Sequence, residues 1–79
     1  MRIEVLGPGC PRCLATIQTI KLAIKNLKVN VEVKHVHDFE KFIEYGVMMT
    51  PAVVINGKLK IQGKIPTIEE AERMIKEEL

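Results

Sequence analysis

The stretch Gly7-Pro8-Gly9-Cys10-Pro11-Arg12-Cys13 separates two different hydrophobic periodicities and holds the two cysteines of the chain. Before it, Arg2 to Leu6 alternates polar and apolar side chains, the pattern of a half-buried strand, and glycine and proline end that pattern. After it, Ile17, Ile20, Ile24 and Leu27 recur at helical spacing while Lys21, Lys25 and Lys28 lie off the stripe, which predicts an amphipathic helix from Pro11 to Lys28. Val29 to Val36 alternates again and returns to strand. Strand, helix and strand in this order require a right-handed parallel crossover. The cysteines therefore sit where the first strand hands over to the first helix.

The second half changes character. Asp38 is a suitable N-cap for a short helix carrying Phe39, Phe42 and Ile43, and Gly46 a suitable stop. Ala52 to Ile55 is continuously apolar, Asn56-Gly57 is a two-residue hairpin signal, and Lys58 to Ile61 alternates like an edge strand guarded by lysines. Thr67-Ile68-Glu69-Glu70 fits a capping box, after which Ile68, Ala71, Ile75 and Leu79 define one apolar helix face. The expected order is β-α-β-α-β-β-α: an α/β chain with a four-stranded mixed sheet and three helices, in a single domain over residues 1–79.

Composition narrows the function classes. With 12 Lys and Arg against 10 Asp and Glu, the net charge of +2 is too small to argue for nucleic acid. The longest apolar run, Ala52 to Ile55, is far short of a membrane span, and Met1 to Leu6 is too short and too charged for a signal peptide. A cytoplasmic protein with no membrane partner is expected. One closely spaced cysteine pair is the pattern of redox or metal chemistry inside cells rather than of a disulfide scaffold.

Cys-Pro-Arg-Cys suits redox chemistry for specific reasons. At a helix start Cys10 faces unsatisfied backbone N–H groups and the positive end of the helix dipole, which stabilise a thiolate, and Arg12 adds positive charge. Pro11 fits the first helical position, where no N–H is needed. Cys13 lies one turn further on the same side, within reach of disulfide closure, so Cys10 reads as the exposed attacking sulfur and Cys13 as the sheltered resolving one. A Cys-x-x-Cys alone also serves as a metal clamp. A tetrahedral zinc site needs four ligands, however, and His35 and His37 lack the helical spacing of a zinc-finger pair. A purely structural staple gains little, because a four-residue loop removes little unfolded-chain entropy. A small metal carrier with a ferredoxin-like βαββαβ order remains the alternative, as does a thiol module used only for sensing.

Taken with Thr50-Pro51 before the third strand, the Asn56-Gly57 hairpin and Gly63 ahead of the last helix, Gly9-Cys10-Pro11-Arg12-Cys13 resembles the thioredoxin-like fold in its glutaredoxin-sized form. It is most similar to the small redox-active disulfide proteins of archaea and bacteria. The resemblance implies a thiol–disulfide oxidoreductase acting on protein disulfides, with Cys10 and Cys13 as its catalytic pair, no cofactor, and a thioredoxin-reductase-like protein as electron donor. It also implies a cis bond at Pro51, and substrate contacts at Thr50, Pro51, Pro11, Arg12 and Gly63, with a substrate strand pairing at the Thr50 backbone. A monomer is expected. Larger thioredoxins carry Trp before the motif, where this chain has Pro8-Gly9. Glutathione-using glutaredoxins carry a Gly-Gly-Cys-Asp-like segment where this chain has Gln62-Gly63-Lys64-Ile65, so a glutathione site does not carry over.

The remaining polar and soft residues read more plainly. Glu4 precedes Cys10 by six positions, where thioredoxins carry a buried acid, but on a strand with an open face it is expected to be solvated. His35 shares parity with Val31 and Val33, and His37 closes its strand near the motif; both read as satisfied or exposed histidines. Met48 and Met49 are expected to fill gaps, with a soft rim for a partner as the other reading. Tyr45 ends a helix face. Lys58, Lys60 and Lys64 read as solvated residues of an edge strand and its exit.

Overall fold

A computed structural model of the chain describes residues 1–9 and 11–79. The elements are β1 (Ile3–Leu6), α1 (Pro11–Leu27), β2 (Val33–Val36), α2 (Phe39–Tyr45), β3 (Ala52–Ile55), β4 (Lys58–Gln62) and α3 (Ile68–Lys76). They form an α/β structure with a four-stranded mixed sheet in the order β2-β1-β3-β4. The β1–β2 pair is parallel and the β1–β3 and β3–β4 pairs are antiparallel. That arrangement follows from the connections: a helix crosses over between β1 and β2, and a two-residue turn joins β3 to β4. Asn56 and Gly57 both adopt positive φ, 53° and 79°, as such a turn demands.

The central strands β1 and β3 bury side chains on both faces, which is why β3 reads as an unbroken apolar run. On one face Ile3, Val5, Val53 and Ile55 pack with Ile20 and Ala23 of α1 and with Ala71, Met74 and Ile75 of α3. On the other face Leu6, Ala52 and Val54 meet Phe42, Tyr45 and Val47, the inner side of α2 and its exit. The α1 surface that becomes fully buried is Cys13, Thr16, Ile20 and Ala23, with Ile17, Ile24 and Leu27 half-covered along its border.

Two boundaries and one helix face differ from expectation. β2 begins at Val33 rather than Val29, because β1 offers only four partners and its register starts with Ile3 opposite Val33. Lys28 closes α1 with a positive φ of 57°, leaving the following residues as a connector. In α3 the inward face is completed by Met74, while Ile68 and Leu79 are 41% and 70% exposed.

The ends of α2 and α3 are capped. Asp38 accepts the Glu40 N–H at 3.0 Å, and Gly46 stops α2 in the left-handed region. Thr67 and Glu70 exchange reciprocal hydrogen bonds in a capping box at α3. The Thr67 N–H and then the Lys64 ammonium, 2.9 Å away, hold the Glu70 carboxyl down to about 2 from its ordinary value of 4.5. A lowered folded-state pKa contributes stability that is complete above pH 4.5 and is lost as pH falls towards about 2. Glu70→Gln keeps an acceptor for the Thr67 N–H and removes the charge. The expected outcome is a shallower dependence of Tm on pH across that window, read by thermal melts of both proteins, with little change in Tm at pH 2.

Candidate active site

β1 is followed directly by Gly7, whose N–H donates to the Val36 carbonyl at 3.0 Å and so keeps the chain on the sheet until the motif begins. The side chain that Gly7 lacks would overlap the Cys13 sulfur, and it would stand 3.4 Å from Cys13 Cβ and 3.8 Å from Thr50 Cβ. Strand end, helix start and the loop before β3 therefore meet at one point. Cys13 is fully buried there, in the first turn of α1. Thr16, one turn on, donates its hydroxyl to the Arg12 carbonyl at 2.9 Å. Pro11 is the first residue of α1, and Pro11 and Arg12 are both exposed. The expectation for Cys10 falls outside the described residues.

Thr50 and Pro51 join this point from the other side. Their peptide bond is cis, Pro51 is buried, and the Pro51 carbonyl accepts the Gly63 N–H at 2.9 Å. Gly63 in turn accepts from Arg12: Nη2 donates to its carbonyl at 3.0 Å. Gly63 takes a positive φ of 79°, and a Cβ there would come within 3.0 to 3.2 Å of the Met49 side chain, so both conformation and space call for glycine. Cys13, Arg12, Thr50, Pro51 and Gly63, expected from the sequence to act together, thus lie in one neighbourhood.

The loop before Cys10 rests on histidines. A Cβ at Gly9 would lie 3.5 Å from His37 Cε1 and 3.6 Å from His35 Cε1, and the two rings are 4.1 Å apart between centroids. The His35 Nε2 lies 3.2 Å from the Gly7 carbonyl. His35 is thus occupied at the border of the site rather than in the core. Among the described residues no group of three or more His, Cys, Asp or Glu side chains forms a metal-holding cluster.

Glu4 is a correction. It is 7% exposed, not solvated, because β1 is an inner strand covered on its second face by α2. Tyr45 donates its hydroxyl to Glu4 Oε1 at 2.8 Å, and Arg2 Nε lies 3.6 Å from the same oxygen. The hydrogen bond to that carboxylate, together with burial, raises the Tyr45 pKa above its ordinary value. Met48 and Met49 fill no gap, being 89% and 60% exposed. Met48 instead borders an apolar groove of about 460 Å³ running past Pro8, His37, Phe39, Ile43 and Thr50. Lys58, Lys60 and Lys64 are not merely solvated: Lys58 pairs with Glu78, Lys60 with Glu77 and Glu78, both just past the end of α3, and Lys64 with Glu70 in its first turn, at 2.8 to 3.2 Å.

Two residues of the site escaped the sequence reading. Gly7 reads only as a strand stop, although its lack of a side chain is what admits the Cys13 sulfur. Gln62 enters the sequence reading only within the Gln62-Gly63-Lys64-Ile65 segment set against glutaredoxins, yet its side-chain carbonyl accepts both the Met48 N–H at 2.8 Å and the Met49 N–H at 3.1 Å. A lone glutamine beside a glycine gives no sequence signal of such a double bond.

The fold and the meeting of helix start, strand end and Pro51 loop define a thioredoxin-like thiol–disulfide oxidoreductase. The chain belongs to the thioredoxin family, matching its thioredoxin domain over residues 1–76. It is similar to a thioredoxin of Methanocaldococcus jannaschii, 38% identical over 77 residues that span 98% of this chain and 84% of that protein. A thioredoxin of Methanothermobacter thermautotrophicus is 27% identical over 95% of this chain and 97% of its own length. A probable thioredoxin of the same organism is 36% identical over all of this chain and 96% of its own.

The Gly7 contact is testable by a double-mutant cycle. Gly7→Ala should lower stability by about 1–3 kcal/mol through overpacking against the sulfur. In a Cys13→Ala background the same change should cost at least about 1 kcal/mol less, since the overlapping atom is gone. Chemical denaturation of the four proteins checks this, and additive effects would contradict it.

Proposed function

We propose that the chain reduces disulfide bonds in other proteins through Cys10 and Cys13. The Cys10 thiolate attacks one sulfur of the substrate disulfide, forming a mixed disulfide and releasing one substrate thiolate. Cys13, once deprotonated, attacks the Cys10 sulfur; the intramolecular disulfide forms and the second substrate thiolate leaves. The substrate gains two electrons and the protein loses two, which a dithiol-delivering reductase returns. The observation that carries this reading is the fully buried Cys13 sulfur, seated where a side chain at Gly7 would stand and three residues along the chain from Cys10. A sheltered second thiol resolves an intermediate formed at its neighbour but does not itself meet a large substrate.

In the chain Cys10 directly precedes Pro11, the first residue of α1, and stands two positions before Arg12, a sequence setting that favours a thiolate. The exposed surfaces of Pro11 and Arg12, with Thr50, Pro51 and Gly63, form the platform on which a substrate strand lies, its backbone pairing at Thr50. The protein works as a monomer in the cytoplasm, with a thioredoxin-reductase-like donor and no cofactor. The metal-carrier alternative makes a different use of the same two sulfurs.

Removal of the resolving thiol separates the readings. Cys13→Ser should accumulate mixed disulfides of higher mass in a cell extract, cleared by dithiothreitol, whereas Cys10→Ser should accumulate few. Non-reducing gels and mass spectrometry provide the measurement. Equal, negligible trapping by both variants, with tight one-to-one Cu(I) binding by the unaltered protein, would instead establish metal carriage.

A further inference from the structure

Gln62 is the last residue of β4 and lies directly opposite Ala52, the residue after Pro51. From the end of one strand its side chain reaches back along the loop that enters the other. There Oε1 accepts two successive backbone N–H groups, Met48 at 2.8 Å and Met49 at 3.1 Å. The next residue in the chain is Thr50, whose Cβ borders the Gly7–Cys13 contact. Immediately beyond, Gly63 N–H holds the Pro51 carbonyl. Two consecutive residues of β4 and its exit thus fix the loop on both sides of Thr50, one through a side chain and one through the backbone. Among the described residues, none of the loop, turn and cap hydrogen bonds involves the Thr50 backbone.

We infer that Gln62 is a positioning residue for protein substrates: it sets the conformation of the loop at Met48 and Met49 so that the Thr50 backbone is presented for strand pairing. This rests on the proposed reduction of protein disulfides. Met48 and Met49 are 89% and 60% exposed, so beyond the approach of Met49 to Gly63 their side chains do little to hold the backbone in place. The Gln62 carbonyl does so instead, satisfying two N–H groups that would otherwise be free to compete for a substrate carbonyl or turn towards water. The ordering of the loop is then complete before a substrate arrives and does not subtract from its binding. Gln62 carries no redox group and takes no part in electron transfer, so its effect is confined to substrates that dock on the loop.

The test compares Gln62→Leu, which removes the acceptor at similar size, with Gln62→Glu, which retains acceptor oxygens. Insulin serves as the docking substrate, with dithiothreitol as recycling reductant, and 5,5′-dithiobis(2-nitrobenzoate) as a small disulfide that needs no strand pairing. Losing this ordering is equivalent to one or two hydrogen bonds, so Gln62→Leu should raise KM for insulin about tenfold with kcat nearly unchanged. Its rate with the small disulfide should match the unaltered protein, and Gln62→Glu should restore most of the insulin KM. Unchanged KM in Gln62→Leu, equal loss towards both disulfides, or equal loss in both variants would overturn the inference. An unaltered protein that reduces the small disulfide but not insulin would refute the parent reading, and this assignment with it.

Discussion

The Cys13 sulfur fills the space in which any side chain at Gly7 would stand. Because interiors are packed to near-crystalline density, such an overlap has no slack to absorb it, and a glycine is required where β1 ends. The contact fixes the distance between the end of β1 and the first turn of α1. It also brings Thr50 within van der Waals range of the same point. A helix start, an inner strand end and the entry to the neighbouring strand are thereby packed against one another.

A second set of constraints, made of hydrogen bonds, surrounds this contact. Arg12 donates to Gly63, Gly63 donates to Pro51, and Gln62 accepts from Met48 and Met49, so the motif and the loop before β3 are joined through the far end of β4. On the opposite face of the sheet the buried Glu4 carboxylate is held by the Tyr45 hydroxyl. Removing that hydroxyl would leave a buried acceptor short of a donor, a change that typically costs about 1–3 kcal/mol. The apolar groove beside α2 and the ion-paired surface of α3 give the two sides of the molecule different chemistry. The motif lies at the border of the apolar side.

Most of the architecture is legible because local signals agree with one another. The glycine–proline break, the Asn56-Gly57 turn and the Thr67–Glu70 capping box each specify a boundary independently of tertiary context, and all three stand where the residues place them. The failures share a cause. Glu4, Ile68, Leu79, Met48 and the start of β2 depend on which element lies opposite, information that periodicity along one segment does not contain. Glu4 alternates correctly within its strand, yet sheet order makes that strand an inner one and α2 closes over it. In the site, the cysteines and Thr50-Pro51 are visible as motifs. Gly7 and Gln62 are not, because their contribution lies in a missing side chain and in a single carbonyl that acts across the hairpin.

In the proposed function Cys10 and Cys13 form a reversible two-electron couple. Its most direct test is equilibration of the protein against buffers of graded reduced and oxidised glutathione, with the disulfide state read by thiol labelling and mass spectrometry. Such a couple gives one transition to an intramolecular, monomeric disulfide, with a midpoint between about −300 and −120 mV, the range of dithiol oxidoreductases. A pair that never closes within the chain, that closes only between chains, or that stays oxidised below about −300 mV as structural disulfides do would contradict it.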